Sequence, residues 1–257
     1  MILGTSLALA LVVIAVLTLY VLRAVLAGSG ETVVADEVLV AVGRAPNVDD
    51  LGLDVAGVTT DAKGIVVDER CRTKNRHVYA CGDVAGRLQL THYAEHMAKV
   101  AVVNAVLGAP IRLERDVVPW VTFTDPELAR VGPRDHDPAR HRTFRFPYAK
   151  VDRAVAERDA DGWIHVHTDQ RGRVVGANVV GASAGEVIAE LALAMRYELT
   201  LRQIADAIHA YPTLALGARR VADQWYVQSA SPPLMRVIMA LRGLRGRPAK
   251  PKPDVIV

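Results

Sequence analysis

The chain has 257 residues, 51% of them hydrophobic, and a formal charge of +3 from 31 Lys and Arg against 28 Asp and Glu. That is enough apolar material for two folded units. The mild charge, with no dense basic stripe interleaved with aromatics, does not indicate a nucleic-acid-binding protein, and no nucleic-acid partner is expected. The two cysteines, Cys71 and Cys81, form neither a Cys-x-x-Cys pair nor a metal-ligand cluster, so a reducing compartment is the default.

Residues 2–28, ILGTSLALALVVIAVLTLYVLRAVLAG, carry a single charge, Arg23. As a helix the run is roughly 39 Å long, enough for a hydrocarbon core of about 30 Å. A signal peptide fits less well, because no basic leading region precedes the run and no small-x-small cleavage motif follows it cleanly. A buried soluble helix would keep one polar face, which this run lacks. The expectation is therefore a membrane-spanning helix over residues 1–28. Arg23 then sets the soluble part on the cytoplasmic side, and the chain is expected at a membrane.

After Gly28-Ser29-Gly30 the composition becomes ordinary α/β. VADEVLVAVG (34–43), GIVVD (64–68) and HVYACG (77–82) predict short strands. THYAEHMAKVAVVNAVLG (91–108) predicts a helix closed by Gly108, and Pro110 starts the link to a second domain. That domain opens with VPWVTFTDPE (118–127), where Asp125 and Pro126 suit an entry turn better than catalysis. TFRFPY (143–148) follows. WIHVHT (163–168) and RVVGANVVG (173–181) flank the turn DQRG and predict a hairpin. SAGE (183–186) and TLRQ (200–203) read as capping boxes starting two helices, and Pro212 suits the start of a third. His165 and His167 share one side of a strand, where sheet-surface roles suit them better than metal binding. The basic tail, residues 229–257, is either a solvated terminus or a segment lying on an anionic surface. Strands followed by grouped helices give an α+β second domain.

Three segments carry a resemblance: VLVAVGRAPNVDDLGLDVAGV (38–58), GIVVDERCRTKNRHVYACGDVAG (64–86) and VTFTDPELARVG (121–132). With VVGANVVGASAGEVIAELALA (174–194) and IHAYPTLALGARRVAD (208–223), they resemble the pyridine-nucleotide–disulfide oxidoreductases over roughly residues 31–228. The fold this implies is the C-terminal remnant of an FAD-binding α/β domain (31–110) followed by an α+β dimerisation domain (111–228). The resemblance also implies a homodimer that uses FAD and NAD(P)H, passing a hydride from nicotinamide to flavin and electrons on to an acceptor. Gly82 and Asp83 match the family's flavin pair, in which the aspartate bonds the ribityl chain. Thr91, His92 and Ala94 match the helix start that faces the flavin pyrimidine edge, where N–H groups and the helix dipole favour a reduced flavin. Arg44, in Gly43-Arg44-Ala45-Pro46, matches the family segment that links the nucleotide-binding domain back to the flavin domain, where it reads as a structural pin rather than a ligand.

Other parts of the family pattern are missing from these 257 residues. No Gly-x-Gly-x-x-Gly turn stands at a strand–helix junction, and neither a redox cysteine pair nor a second glycine-rich unit for NAD(P)H is present. Where disulfide-reducing members carry an acid–base histidine and its orienting glutamate, this chain has Tyr211 and Leu216. A leucine orients nothing and a phenol is a poor base at neutral pH, so Tyr211 is expected beside the electron acceptor, as in the mercuric-reductase-like branch. His209 reads as a local loop residue more readily than as a replacement base. No metal site is expected. Two alternatives to an enzyme stay open: a membrane-tethered dimerisation module, and a truncated gene product.

Overall fold

The computed structural model of the chain describes residues 12–14, 22–25, 29–35, 37–86, 88–134, 136–229, 237 and 239–242. Its contacts divide the chain into two compact units, residues 1–101 and 102–257.

In the first unit, β1 (Val12–Ile14), β2 (Leu22–Val25) and β3 (Thr32–Ala35) form an antiparallel meander, with Val13 opposite Ala24 and Ala24 opposite Val33. This corrects the membrane-spanning helix expected over residues 1–28. An apolar run rich in Val, Ile and Leu is as good a strand signal as a helix signal, and periodicity cannot separate the two. The rest of that segment lies outside the described residues, and among the described residues no helix is long and apolar enough to cross a membrane. The membrane contact and location drawn from that helix lose their support. The basic tail past residue 229 also lies almost wholly outside the described residues.

The strand expected at 34–43 ends at Ala35, and Leu39 and Val42 are 90% and 87% exposed. A strand needs a neighbour for its N–H and C=O groups, and among the described residues β3 pairs with β2 alone. Strand GIVVD shortens to β5 (Gly64–Ile65), paired with β4 (Thr60–Asp61). HVYACG runs beside residues 71–73 but makes only a single bridge, between Arg72 and Tyr79. Helix α1 (Thr91–Leu107) is as expected. Tyr93, Met97 and Val100 recur at helical spacing and are buried, and Gly108, at φ 63°, ends the helix with its N–H donating to Asn104 O at 3.1 Å.

The second unit is a five-stranded antiparallel sheet with helices on one face. Its strands are β6 (Trp120–Thr122), β7 (Glu127–Val131), β8 (Arg142–Pro147), β9 (Trp163–Thr168) and β10 (Val174–Gly181), in the order β6-β7-β10-β9-β8. A short helix, α2 (Asp152–Glu157), follows β8. Strand alternation sends Phe144, Phe146, Ile164, Val166, Ala177 and Val179 into the core. There α3 (Ala184–Arg196) covers β10 and β7, and α5 (Leu216–Ser229) covers β8 and β9, with α4 (Leu201–Asp206) against α5.

The hairpin about DQRG forms as expected. So does the box before α4: Thr200 Oγ1 accepts from Gln203 N at 3.3 Å, and Gln203 Oε1 accepts from Thr200 N at 2.9 Å. The box at Ser183 does not. Ser183 is left-handed at φ 50° and its side chain caps nothing; instead Glu127 Oε2, from β7, accepts the Gly185 N–H at 3.0 Å. Helix α5 begins four residues after Pro212, because Thr213 Oγ1 accepts the Leu216 N–H at 3.2 Å and sets the first turn there. In the 118–127 turn the side-chain bond comes from Thr124, whose hydroxyl donates to Pro126 O at 2.8 Å, rather than from Asp125.

Candidate functional site

Within the first unit, the Gly82–Asp83 turn is delivered by a side-chain-locked bend. Asp68 Oδ1 accepts the N–H groups of Arg70 (2.8 Å) and Arg72 (3.0 Å), while Oδ2 takes both Nε (3.0 Å) and Nη2 (2.9 Å) of Arg72. Burial pulls the Asp68 carboxyl up, but these donors outweigh it and hold it below the usual carboxylate range. The bend pairs residues 71–73 with 78–80, through Ala80 N to Cys71 O (3.1 Å) and Thr73 N to Val78 O (3.0 Å). The chain then turns through a single 3-10 turn, Asp83–Ala85.

Two glycines make this turn possible. Gly82 sits at φ 79°, and a Cβ on it would lie 3.4 Å from the Ala94 Cβ, so the structure brings the turn against the first part of α1. Gly86 sits at φ 66°, where a Cβ would fall 1.4 Å from Lys63 O. No side chain fits there. Asp83 Oδ2 is 3.7 Å from Arg44 Nη1, and both side chains are solvent-accessible. Thr91 and His92 open α1 and are exposed. The candidate flavin residues are thus one turn and one helix start in a single unit: a carboxylate able to accept a hydroxyl proton, with a cation beside it.

The second candidate region lies in the other unit. Tyr211 is 67% exposed on a loop between α4 and α5, and Leu216, the position of the missing glutamate, is buried at the start of α5. His209 points inward: its side chain is 9% exposed, with Nε2 2.8 Å from Glu190 Oε1 on α3 and Nδ1 3.1 Å from Ala207 O. Below the loop a cleft of about 340 Å³ is lined by Pro212, Thr213 and Leu214 on one side and by Ser183, Glu186 and the Arg153–Glu157 ion pair on others.

On the outer face of the sheet, His165 stacks on Trp163 with centroids 3.9 Å apart, and His136 stacks on His167 at 3.7 Å. His167 is not on an open surface: it is 8% exposed, its Nδ1 2.9 Å from Thr143 Oγ1 and its Nε2 3.1 Å from Asn178 Nδ2. Burial, then Arg145, brings His165 down to about 4; burial, then the neighbouring His136, His165 and His141 rings and Arg145, does the same for His167. Both rings are neutral at physiological pH. Among the described residues no group of three or more His, Cys, Asp or Glu is arranged to hold a metal ion.

Two arrangements escape a reading along the chain. The pattern Asp-x-x-x-Arg occurs at both 68–72 and 169–173 and was a usable signal. The His209–Glu190 pair, 19 residues apart, had none.

Comparison with known proteins places the chain in a family. Residues 14–98 match the profile described as pyridine nucleotide-disulphide oxidoreductase, and residues 118–220 match the dimerisation domain of the same family. The chain belongs to the pyridine nucleotide-disulphide oxidoreductase family and is dihydrolipoyl-dehydrogenase-like. It is 39% identical over 193 residues to the dihydrolipoyl dehydrogenase of Bacillus subtilis, covering 73% of this chain and 41% of that one. Against the enzyme of Haloferax volcanii the figures are 37% over 196 residues, 74% and 41%. Among solved structures, LpdA from Mycobacterium tuberculosis superposes with a TM-score of 0.75 at 28% identity, over 80% of this chain and 46% of that one. The HOCl-induced flavoprotein disulfide reductase RclA of Escherichia coli, at 25% identity and a TM-score of 0.71, is likewise matched over 80% of this chain and 48% of its own. The chain thus spans about two fifths of the length of these curated relatives. The family match begins at residue 14, inside the apolar run, and takes in β2 and β3.

Proposed function

We propose that this chain carries the flavin-ribityl contact and the dimer-forming domain of an FAD-dependent, NAD(P)H-linked oxidoreductase. The observation that supports it most is the Gly82–Asp83 turn, seated against Ala94 of α1 by a glycine that leaves room for close approach. The residues present fit one end of FAD. Asp83 would accept a ribityl hydroxyl proton, and the N-terminal turn of α1, at Thr91, His92 and Ala94, would face the pyrimidine edge with its N–H groups. They do not supply the pyrophosphate cradle, since the sequence holds no Gly-x-Gly-x-x-Gly turn at a strand–helix junction. FAD, when bound, supplies the two-electron redox chemistry. This chain's own share is orientation: Asp83 and α1 at the cofactor, and Tyr211, next to the cleft-lining residues Pro212, Thr213 and Leu214, at the electron acceptor. The match to a dimerisation domain supports a homodimer, and Ile208, 99% exposed beside Tyr211, supplies apolar surface for one.

A second reading is a dimerisation module without chemistry. It is favoured by the loss of the acid–base pair: Leu216 is buried and apolar, and both ring nitrogens of His209 are engaged.

Visible absorbance of the purified full chain, with FAD added, separates the two. The flavoprotein reading expects a protein-bound band at about 450 nm that is lost in Asp83→Ala. A colourless protein that ignores added FAD sinks it for this chain and leaves the module, whose sedimentation mass would still be that of a dimer.

A further inference from the structure

The loop from Ala207 to Ala215 has no regular secondary structure to hold it, yet it carries Ile208 and Tyr211 outward. Four side-chain contacts define its path. Thr213 Oγ1 donates to Ala210 O at 2.8 Å and accepts the Leu216 N–H at the start of α5 at 3.2 Å, His209 Nδ1 lies 3.1 Å from Ala207 O, and His209 Nε2 lies 2.8 Å from Glu190 Oε1. The first three stay within the loop and the helix ends that adjoin it in sequence. Of the four, only the last ties the loop to an element distant in sequence, α3 in the core layer.

The same geometry decides what His209 does. Its two nitrogens face two protein oxygens, the Ala207 carbonyl at 3.1 Å and the Glu190 carboxylate at 2.8 Å, so both are turned to the protein. With the ring nine-tenths covered, neither nitrogen is open to a substrate. A general base needs a nitrogen within reach of the proton it removes, and His209 offers none.

We infer that His209 and Glu190 are a positioning pair: their bond fixes the Tyr211 loop on α3 and so sets where Tyr211 stands. The meaning of that position for an electron acceptor rests on the flavoprotein reading; the positioning itself does not. His209 lies on the buried side of the loop and Tyr211 on its exposed side, with one residue between them, so a shift of the anchor is passed along a short length of chain to the phenol. Glu190 is suited to the task because the helix carrying it is itself anchored at Gly185.

The test is 19F NMR of the full chain labelled with 3-fluorotyrosine, the Tyr211 resonance being assigned with Tyr211→Phe. Glu190→Leu and His209→Leu are each expected to move or broaden the Tyr211 resonance beyond its linewidth. The double variant should move it no further than either single change, since both remove the same bond. Glu190→Gln retains an oxygen acceptor for Nε2–H and is expected to restore the wild-type position. The Tyr148 resonance, from a fully buried ring in the sheet core, should stay fixed and so reports the fold. If His209→Leu also moves Tyr148, the two Glu190 variants decide the matter, because they leave the loop's own sequence intact. The inference is overturned if Tyr211 stays put in Glu190→Leu, or if Glu190→Gln moves it as far as Glu190→Leu does. No cofactor or acceptor enters these measurements, so they fail or succeed separately from the absorbance experiment.

Discussion

The turns at 68–72 and 169–173 belong to different units and are built alike. In each, the aspartate N–H donates to the arginine carbonyl at 2.9 Å, and the aspartate Oδ1 accepts the N–H groups of the second and fourth residues after it. In each, the arginine side chain returns to Oδ2. In both, burial raises the carboxyl and the arginine and backbone donors outweigh it, leaving the group below its ordinary range. They differ at the left-handed position. Gly172 takes it at φ 84° in the second unit, whereas Cys71 takes it at φ 62° in the first. A left-handed non-glycine residue costs about 1–2 kcal/mol, so something must favour cysteine there. Cys71 is fully buried, with Sγ donating to Met97 O at 3.5 Å. At Gly172 a Cβ would lie 2.6 Å from the Trp225 ring. The carboxylate makes the turn; the neighbours choose the residue.

The hardest blow to that comparison is Gly172→Ala. It adds left-handed strain and a collision with a large aromatic ring, and should cost about 3 kcal/mol in urea unfolding followed by circular dichroism. A loss under about 1 kcal/mol would mean Trp225 is not the constraint.

Acid should then separate the units. His165 and His167 are brought to about 4 in the folded chain, against about 6.5 when unfolded. The folded state favours the neutral rings, so their contribution is complete above pH 6.5 and is lost as pH falls from 6.5 through 4. Discounted for solvent screening, the pair should forfeit about 2 kcal/mol. Asp68 and Asp169 also have depressed values, but their contribution is present above the unfolded carboxylate range and fades only at lower pH. Thermal unfolding between pH 7 and pH 4 should therefore weaken the sheet of the second unit, and His167→Gln should flatten that slope. A wild-type slope of zero in this window would be decisive against it.

The smallest effect is expected from Cys71→Gly. Glycine relieves the left-handed backbone but leaves a gap beside Met97 and a freer unfolded chain, for a net loss of about 1 kcal/mol. Stabilisation instead would mean that the turn, not the core, governs position 71.

What could be read along the chain was whatever rests on neighbours in sequence. The β9–β10 hairpin follows from a glycine-bearing turn between two β-branched runs, and the Thr200–Gln203 box and the Gly108 stop are set within four residues. What failed depends on distant partners. Ser183 has the right spacing to Glu186, but Glu127 on β7 reaches the helix start first. The apolar run at 2–28 fits a helix by length, and only pairing with β3 makes its described parts strands. Leu39 and Val42 look like core residues, but no neighbouring strand among the described residues covers them. At the candidate site the Gly82–Asp83 turn was legible through its resemblance. The role of Gly82 against Ala94 and the burial of His167 beneath His136 needed coordinates, because each joins residues brought together only by folding.

Helix α3 is tied at Gly185 to Glu127 on β7, at Glu190 to His209 on the loop, and at its end by Arg196 to Glu114. Five residues of helix separate the first two ties, a rigid rod of about 7.5 Å. Mechanically, α3 is a crank between the sheet and Tyr211. Sliding β7 along its neighbours would turn up at the phenol, while slack in the chain leading into the loop from α4 would be absorbed at His209.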